Sequence, residues 1–458
     1  MTIEQLRLIH PRFIYRSVEV KQTDASIEFV YEFILEPDIH FHPTVAIPRH
    51  GHILPEEVVT AWAFSLGMVE LISYWKAAIP KEIVIEAGSC SEEQLRFWRD
   101  LMIHGLGEFY YQNGIDFTAP DFFSLHVLDA KPRPLEQLPA YDEPEGDLVL
   151  ASGGKDTAVT LGILKNSDRT IQTTVLNPTQ SSLDIVAAAG FKDPIIVKRV
   201  MDPQLGTLNA RGYLNGHTPF SAYLAFLGTF VATLYGYGHV IVSNEQSANE
   251  GNVVYRGMEI NHQYSKSYRF EQLFRKYVSE YLGNTASYFS FLRPVNDLQI
   301  GKLFSGFPEF FTLFRSCNVK SRENAWCGTC AKCAFTYLIL SPFLSREQLI
   351  ASFGGDLFQT PEIIEHIKAE IGLTPVKPFE CVGTRDEARL ALLLVIKRYL
   401  REGQEVPEAL LLLKSELHIS EETEAELTKR LLNTWADTYN LPPEYLAVLK
   451  HAWDESFT

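Results

Sequence analysis

Between Asp147 and Glu245 short apolar runs alternate with stretches of helical spacing, and nothing else in the chain narrows the fold as much. "DLVLAS", "TIQTTVLN", "PIIVKRV" and "HVIVSNE" read as buried strands bounded by turn residues, and the segments between them read as helices. Strands separated by helices need crossover connections. This predicts an α/β fold with a parallel, doubly wound sheet and a ligand site at the carboxyl ends of its strands. Those ends carry Ser152, Asn177, Arg199 and "SNEQSANEGN", from Ser243 to Asn252.

A chain of 458 residues has room for two or three domains. Residues 1–130, with "FIYRSVEV", "SIEFVYEF" and the apolar "EEVVTAWAFSLGMVELISYWKAA", are expected to form an α+β domain. Residues 131–146 hold four prolines and read as an extended linker; residues 147–345 form the α/β domain, and residues 346–458 are mainly helical. No internal repeat or low-complexity tract is present.

With 46% apolar and 21% charged residues, the composition is that of a soluble globular protein. The formal charge of −16 argues against a sequence-independent grip on nucleic acid. The start, "MTIEQLRLIHPRF", lacks the basic-then-apolar pattern of a signal peptide, so a cytoplasmic location is expected. One uncharged window, Pro219–Ser243, is long enough to span a membrane, but the break at "YGYGH" predicts a helix followed by a strand, and no membrane partner is expected. Oligomeric state is left open.

In "ASGGKDT" the first strand ends at a glycine turn and a helix begins. The first N–H groups of a helix lack intrahelical partners, and the helix dipole adds positive charge there, so an anion suits the position. Gly153 and Gly154 allow close approach, Ser152 and Thr157 supply hydroxyls, and Lys155 supplies a charge. Phosphate is the expected occupant, against the alternative of an ordinary glycine turn. No Walker frame fits. The motif instead resembles the SGGxDS loop of the N-type ATP pyrophosphatases, with Thr157 in place of the usual serine; this resemblance implies ATP cleaved to AMP and pyrophosphate. Asp156, with Glu245 or Glu250, is a candidate for holding Mg²⁺ on the phosphates, the alternative being solvated loop carboxylates.

Four of the six cysteines, Cys317, Cys327, Cys330 and Cys333, are spaced C-x9-C-x2-C-x2-C. That spacing suits a structural Zn²⁺ held by four thiolates; an iron–sulfur cluster and free buried thiols are the alternatives. Cys381 lies apart from this group. His217 in "NARGYLNGHTP" and His262 in "NHQYSKS" sit among hydrogen-bonding residues, which makes them acid–base candidates beside the plainer reading of structural histidines. Lys76 closes an apolar helix, where a cation suits the dipole without any further role.

"SYWKAAIP", "GLGEFYYQN", "ASGGKDT", "LNGHTPFSA", "SNEQSANEGN", "NHQYSKS", "WCGTCAKCAF" and "KPFECVG", taken together, resemble successive motifs of the UDP-N-acetylmuramoyl-L-alanyl-L-glutamate epimerases (MurL). They run from about residue 70 to residue 385; the two ends of the chain carry no matching motif. The resemblance implies an ATP- and Mg²⁺-dependent isomerase that inverts the terminal L-glutamate of UDP-MurNAc-L-Ala-L-Glu in peptidoglycan biosynthesis. ATP would go to AMP and pyrophosphate through an acyl-adenylate. On this reading Ser152, Gly153, Gly154, Lys155, Asp156, Thr157 and Glu245 serve ATP and its Mg²⁺. His217, His262 and Cys381 compete for proton transfer, with Lys266 a further catalytic candidate, and Lys76, Arg211 and Asn215 are candidate substrate contacts.

The 7-cyano-7-deazaguanine synthases offer a second resemblance. They share the loop and a cysteine cluster of nearly the same spacing, but that reading leaves the N-terminal domain and the histidine segments unexplained. A tRNA-modifying sulfur transferase and a nucleotide-binding regulator without turnover are further alternatives.

Overall fold

Along the strand Ser26–Leu35 buried and half-buried residues alternate, the mark of a sheet with one face against a core. This strand pairs antiparallel with Arg12–Gln22, from Phe13↔Leu35 to Gln22↔Ile27, and on its other edge with Thr44–Pro48. The structure, a computed structural model, describes residues 1–49, 53–129, 146–283 and 286–456. The chain is of the α/β class and divides into two compact units with interleaved segments. The first holds Met1–Leu148, Ile195–Val240 and Val254–Tyr288; the second holds Val149–Pro194, Ile241–Val253 and Phe289–Thr458. The linker expected at 131–146 lies, Gly146 excepted, outside the described residues.

In the first unit the strands neighbour one another in the order Ile195–Val200, Thr44–Pro48, Ser26–Leu35, Arg12–Gln22, Glu82–Ser89, Ser124–Asp129. Glu82–Ser89 runs parallel to both of its neighbours. Ile195–Val200 takes Thr44–Pro48 as an antiparallel neighbour, with Thr44 opposite Val200. Alternation along the sequence indicates which segments become strands, but it cannot see a partner recruited from far upstream.

The helix Glu56–Trp75 buries 16 of its 20 residues. Apolar on all sides along most of its length, it packs inside the core of this unit. Among the described residues it is the one helix long and apolar enough to cross a membrane. Its buried Glu70 pairs with Arg199 through two contacts, Nε to Oε2 at 2.8 Å and Nη2 to Oε1 at 3.0 Å. Arg199, at a strand end, therefore ties strand to core helix. The uncharged window resolves into the helix Phe220–Tyr235, capped by Gly236 at φ +79°, and the strand His239–Val242. A left-handed cap is where glycine, lacking Cβ, stops a helix most readily.

A second run of neighbouring strands is Ser287–Ser290, His239–Val242, Asp147–Leu150, Ile171–Leu176. The Ser287 amide donates to the Gly238 carbonyl and the Phe291 amide to the Val242 carbonyl, so the bonds advance in step, as in a parallel pair. Beyond residue 345 the described elements are all helical, among them Pro361–Glu370 and Arg385–Arg401.

Candidate functional sites

In the second run the strand Asp147–Leu150 stops and the helix Lys155–Leu164 begins five residues later, with Gly154 as its N-cap and no side chain capping it. Its first amides are thus left for another partner. The Gly153 carbonyl accepts hydrogen bonds from the Arg315 amide at 2.6 Å and from Ser181 Oγ at 3.0 Å. A Cβ on Gly153 would stand 2.0 Å from Ser181 Oγ. Ser152 Oγ and Thr157 Oγ1 lie 2.9 Å apart across the turn. Gly153→Ala is expected to push Ser181 aside and to cost about 1–3 kcal/mol of stability. A urea melt checks the effect.

Lys155 is buried, and its Nζ bonds to carboxylate oxygens of Asp156 and Asp297. Burial opposes its charge, but Asp156, Asp297 and Glu245 outweigh burial and hold its pKa above the ordinary lysine value. Behind this triad lies Glu387, fully buried. Its Oε1 accepts from Ser247 Oγ and from the Asp297 amide, each at 2.6 Å, and its Oε2 accepts from the Thr384 amide. Burial first, and Asp297 second, push the Glu387 carboxyl up to about 6. Glu250 belongs to another network, with its Oε1 3.1 Å from Lys377 Nζ. Asp297, Glu387 and Ser247 escaped the sequence reading. The one available signal was the capping box Thr384-x-x-Glu387 before an apolar helix.

In the first unit Lys76, Glu108, His217 and His262 converge. Glu108, on the helix Gly107–Gln112, is buried; His262 Nδ1 hydrogen-bonds to its Oε2, and His217 Nδ1 lies 3.4 Å from the same oxygen. The two imidazole centroids are 4.5 Å apart. Lys76 Nζ donates to the carbonyls of Gly216 and His217. Burial, then His262 and Lys76, hold His217 well below the usual histidine range, so its neutral form dominates. Glu108 lies inside the quoted segment "GLGEFYYQN", but a single carboxylate in a helix gave no reason to choose it.

Burial lowers Lys76 to about 8 against the opposing pull of Glu108. An unfolded lysine titrates near 10.5, so between about pH 8 and pH 10.5 the unfolded chain binds the extra proton and this group's contribution to stability rises with pH. Lys76→Met is expected to remove that rise; chemical denaturation of both proteins across the window measures it.

The four clustered cysteines bring their sulfurs within 4.8 Å of one another. Cys330 Sγ lies 3.5 Å and Cys327 Sγ 3.7 Å from Cys333 Sγ. Sulfurs about 2.3 Å from a tetrahedral zinc stand roughly 3.8 Å apart, so the donor set fits such an ion. Backbone amides of Lys320 and Cys327 point at Cys317 Sγ, each at 3.3 Å, and the hydrogen bond between Cys330 and Cys333 leads in lowering the Cys330 thiol to about 5. Trp326, Phe314 and Phe353 pack beside this loop.

The other candidates are more scattered. Cys381 lies in the second unit, its carbonyl accepting from Lys332 Nζ, whereas His217 and His262 are in the first. Lys266 is half-buried at the end of a short turn four residues past His262. Arg211 and Asn215 are exposed on the segment leading to His217, and the Asn215 carbonyl accepts from Asn113 Nδ2 at 3.2 Å.

The chain thus carries a glycine turn suited to an anion, a carboxylate–imidazole cluster suited to moving a proton and a four-cysteine site suited to a metal. Residues 6–291 match the MurL N-terminal domain and residues 313–425 the MurL C-terminal domain, and the chain belongs to this epimerase family. A UDP-N-acetyl-alpha-D-muramoyl-L-alanyl-L-glutamate epimerase from a Micromonospora species is 34% identical over 73% of this chain and 74% of its own length. The proteins of the same name from Xanthomonas oryzae pv. oryzae and Salinispora tropica are 31% and 32% identical. The Xanthomonas protein covers 86% of this chain and 89% of its own length, the Salinispora protein 72% of each. No solved structure matches the chain.

Proposed function

We propose that this protein inverts the terminal L-glutamate of UDP-MurNAc-L-Ala-L-Glu, with ATP consumed to AMP and pyrophosphate, in the supply of peptidoglycan precursors. The observation that carries this reading is the buried meeting of Glu108, His217 and His262 in a chain whose relatives are named for epimerising this substrate. The α-proton beside a carboxylate is very weakly acidic, because its removal adds a second negative charge next to the first. Adenylating the carboxylate removes that charge and turns the carbonyl into an electron sink. This is why an epimerisation that needs no cofactor electron sink still needs ATP.

The Ser152–Thr157 loop, in a domain of the ATP pyrophosphatase type, holds the phosphates through its hydroxyls and the first amides of the helix that follows. Gly154 as the N-cap, with no side chain capping the helix, supports this assignment. Asp156 and Glu245 would hold Mg²⁺, which neutralises phosphate charge. Lys155 keeps Asp156 and Asp297 together. His262 and His217 transfer protons, with Cys381 and Lys266 as further candidates, and Lys76, Arg211 and Asn215 serve the substrate. The cysteines hold zinc in a closed, structural site that takes no part in the chemistry. Chromatography of ATP incubated with the enzyme tests the reading: AMP released only when the dipeptide substrate is present supports it, and ADP as the product refutes it.

A further inference from the structure

The two oxygens of Glu108 have different partners. Oε1 accepts from Gln112 Nε2 at 2.8 Å, one turn further along the same helix, while Oε2 faces both imidazoles. A carboxylate oxygen can only accept, so the hydrogen bond to His262 Nδ1 puts the ring proton on Nδ1 and makes Nε2 the basic atom. Glu108 Oε2 and His262 Nδ1 are in direct hydrogen-bond contact, so the carboxylate and the imidazole form a dyad.

Resting on the function proposed above, we infer that Glu108 is the positioning residue of the proton-transfer site, held in place by Gln112, and that it makes His262 the group that removes the α-proton. In that step the Cα–H proton passes to His262 Nε2 and the C–H electron pair moves into the carbonyl of the adenylated glutamyl group. The imidazolium so formed lies against the Glu108 carboxylate, which stabilises it where water is scarce. A proton drawn from solvent then joins the opposite face of Cα as the electron pair returns from the carbonyl oxygen; water attacks the acyl carbon, the bond to the AMP phosphate oxygen breaks, and the D-glutamyl product and AMP are formed while His262 releases its proton to solvent. Neither Glu108 nor Gln112 touches the reacting atoms. Both act through the imidazole.

The test compares wild type with Glu108→Gln, Glu108→Asp and Gln112→Leu, measuring AMP release, D-glutamate and the melting temperature. Glu108→Gln keeps the shape but loses the charge. It is expected to lower kcat for inversion by about 10²–10⁴-fold, with KM changed by less than about threefold. AMP release continues as the activated L-glutamyl group is hydrolysed without inversion. Glu108→Asp restores part of kcat, and Gln112→Leu lowers it by roughly tenfold. Inversion by Glu108→Gln at more than about a tenth of the wild-type rate, or a rise in KM with kcat unchanged, overturns the assignment. Loss of AMP release together with a lower melting temperature in Glu108→Gln and Gln112→Leu alike would show a structural role and overturns it too. Should Glu108→Gln fail to fold, an unchanged kcat in Gln112→Leu decides against the proposal and a selective fall in kcat decides for it. If wild type forms neither AMP nor D-glutamate, the proposed function itself fails and this inference falls with it. A wild type that inverts beside a Glu108→Gln variant that also inverts refutes the inference alone.

Discussion

On the function proposed above, Lys155→Met is expected to abolish substrate-dependent AMP formation and to destabilise the protein by about 3–5 kcal/mol. Both effects have one cause. The Lys155 side chain is 1% exposed and that of Asp297 4%, and Lys155 is the cation against which Asp156 and Asp297 are held. Removing it leaves the buried Asp297 carboxylate without its cation, beside an Asp156 carboxylate that is 25% exposed, with the Glu387 carboxyl hydrogen-bonded to the Asp297 amide behind them. A buried anion without its partner loses its compensation without regaining hydration. The carboxylates must then protonate or move apart, and the loop that Lys155 opens moves with them. Urea denaturation measures the first effect and an AMP assay the second. Asp297→Asn added to Lys155→Met is expected to recover part of the lost stability and none of the turnover. A single variant that melts like wild type and still releases AMP would show that the triad is dispensable.

The second large effect concerns the cysteines. The purified protein is expected to carry zinc at one equivalent per chain, lost from Cys333→Ser, and removing it with a strong chelator is expected to lower the melting temperature by roughly 10 °C or more. The reason is local. Cys330 caps the buried helix Ala331–Leu340 and Cys333 sits in its first turn, while Cys317 and Cys327 tie the preceding loop, with its Trp326–Phe314 contact, to that helix. Four thiols this close repel one another as thiolates unless a cation holds them. Elemental analysis and a melt with and without chelator decide the matter; a metal-free protein with an unchanged melt would leave the thiols as ordinary core residues.

What could be read in advance follows the range of each signal. The α/β class was legible because apolar runs and helical spacing are local patterns, and so was the break after Tyr235, where a single glycine carries the message. The clustering of the cysteines was legible because three of the four lie within seven residues. His217 and His262 stood out through their polar neighbours, but their convergence depends on Glu108, far from both in sequence, and a buried glutamate has the same local pattern as a solvated one. Lys155 read as a phosphate-facing charge; its burial against Asp297 is a tertiary fact that no window around the loop contains. Glu387 came closest to being found, since its capping box is a local signature, yet that signature says nothing of the second oxygen, which accepts from Ser247 and Asp297.

The most direct test of the central claim, that the chain activates a carboxylate and then removes its α-proton, is the reaction of UDP-MurNAc-L-Ala-L-Glu with ATP and Mg²⁺ in D₂O. Product configuration and deuterium at the glutamyl Cα are read together with AMP. The account predicts D-glutamyl product carrying deuterium at Cα, formed only with ATP and accompanied by at least one AMP per inversion. Inversion without ATP, or AMP formed with the α-proton and the L configuration both intact, would contradict it.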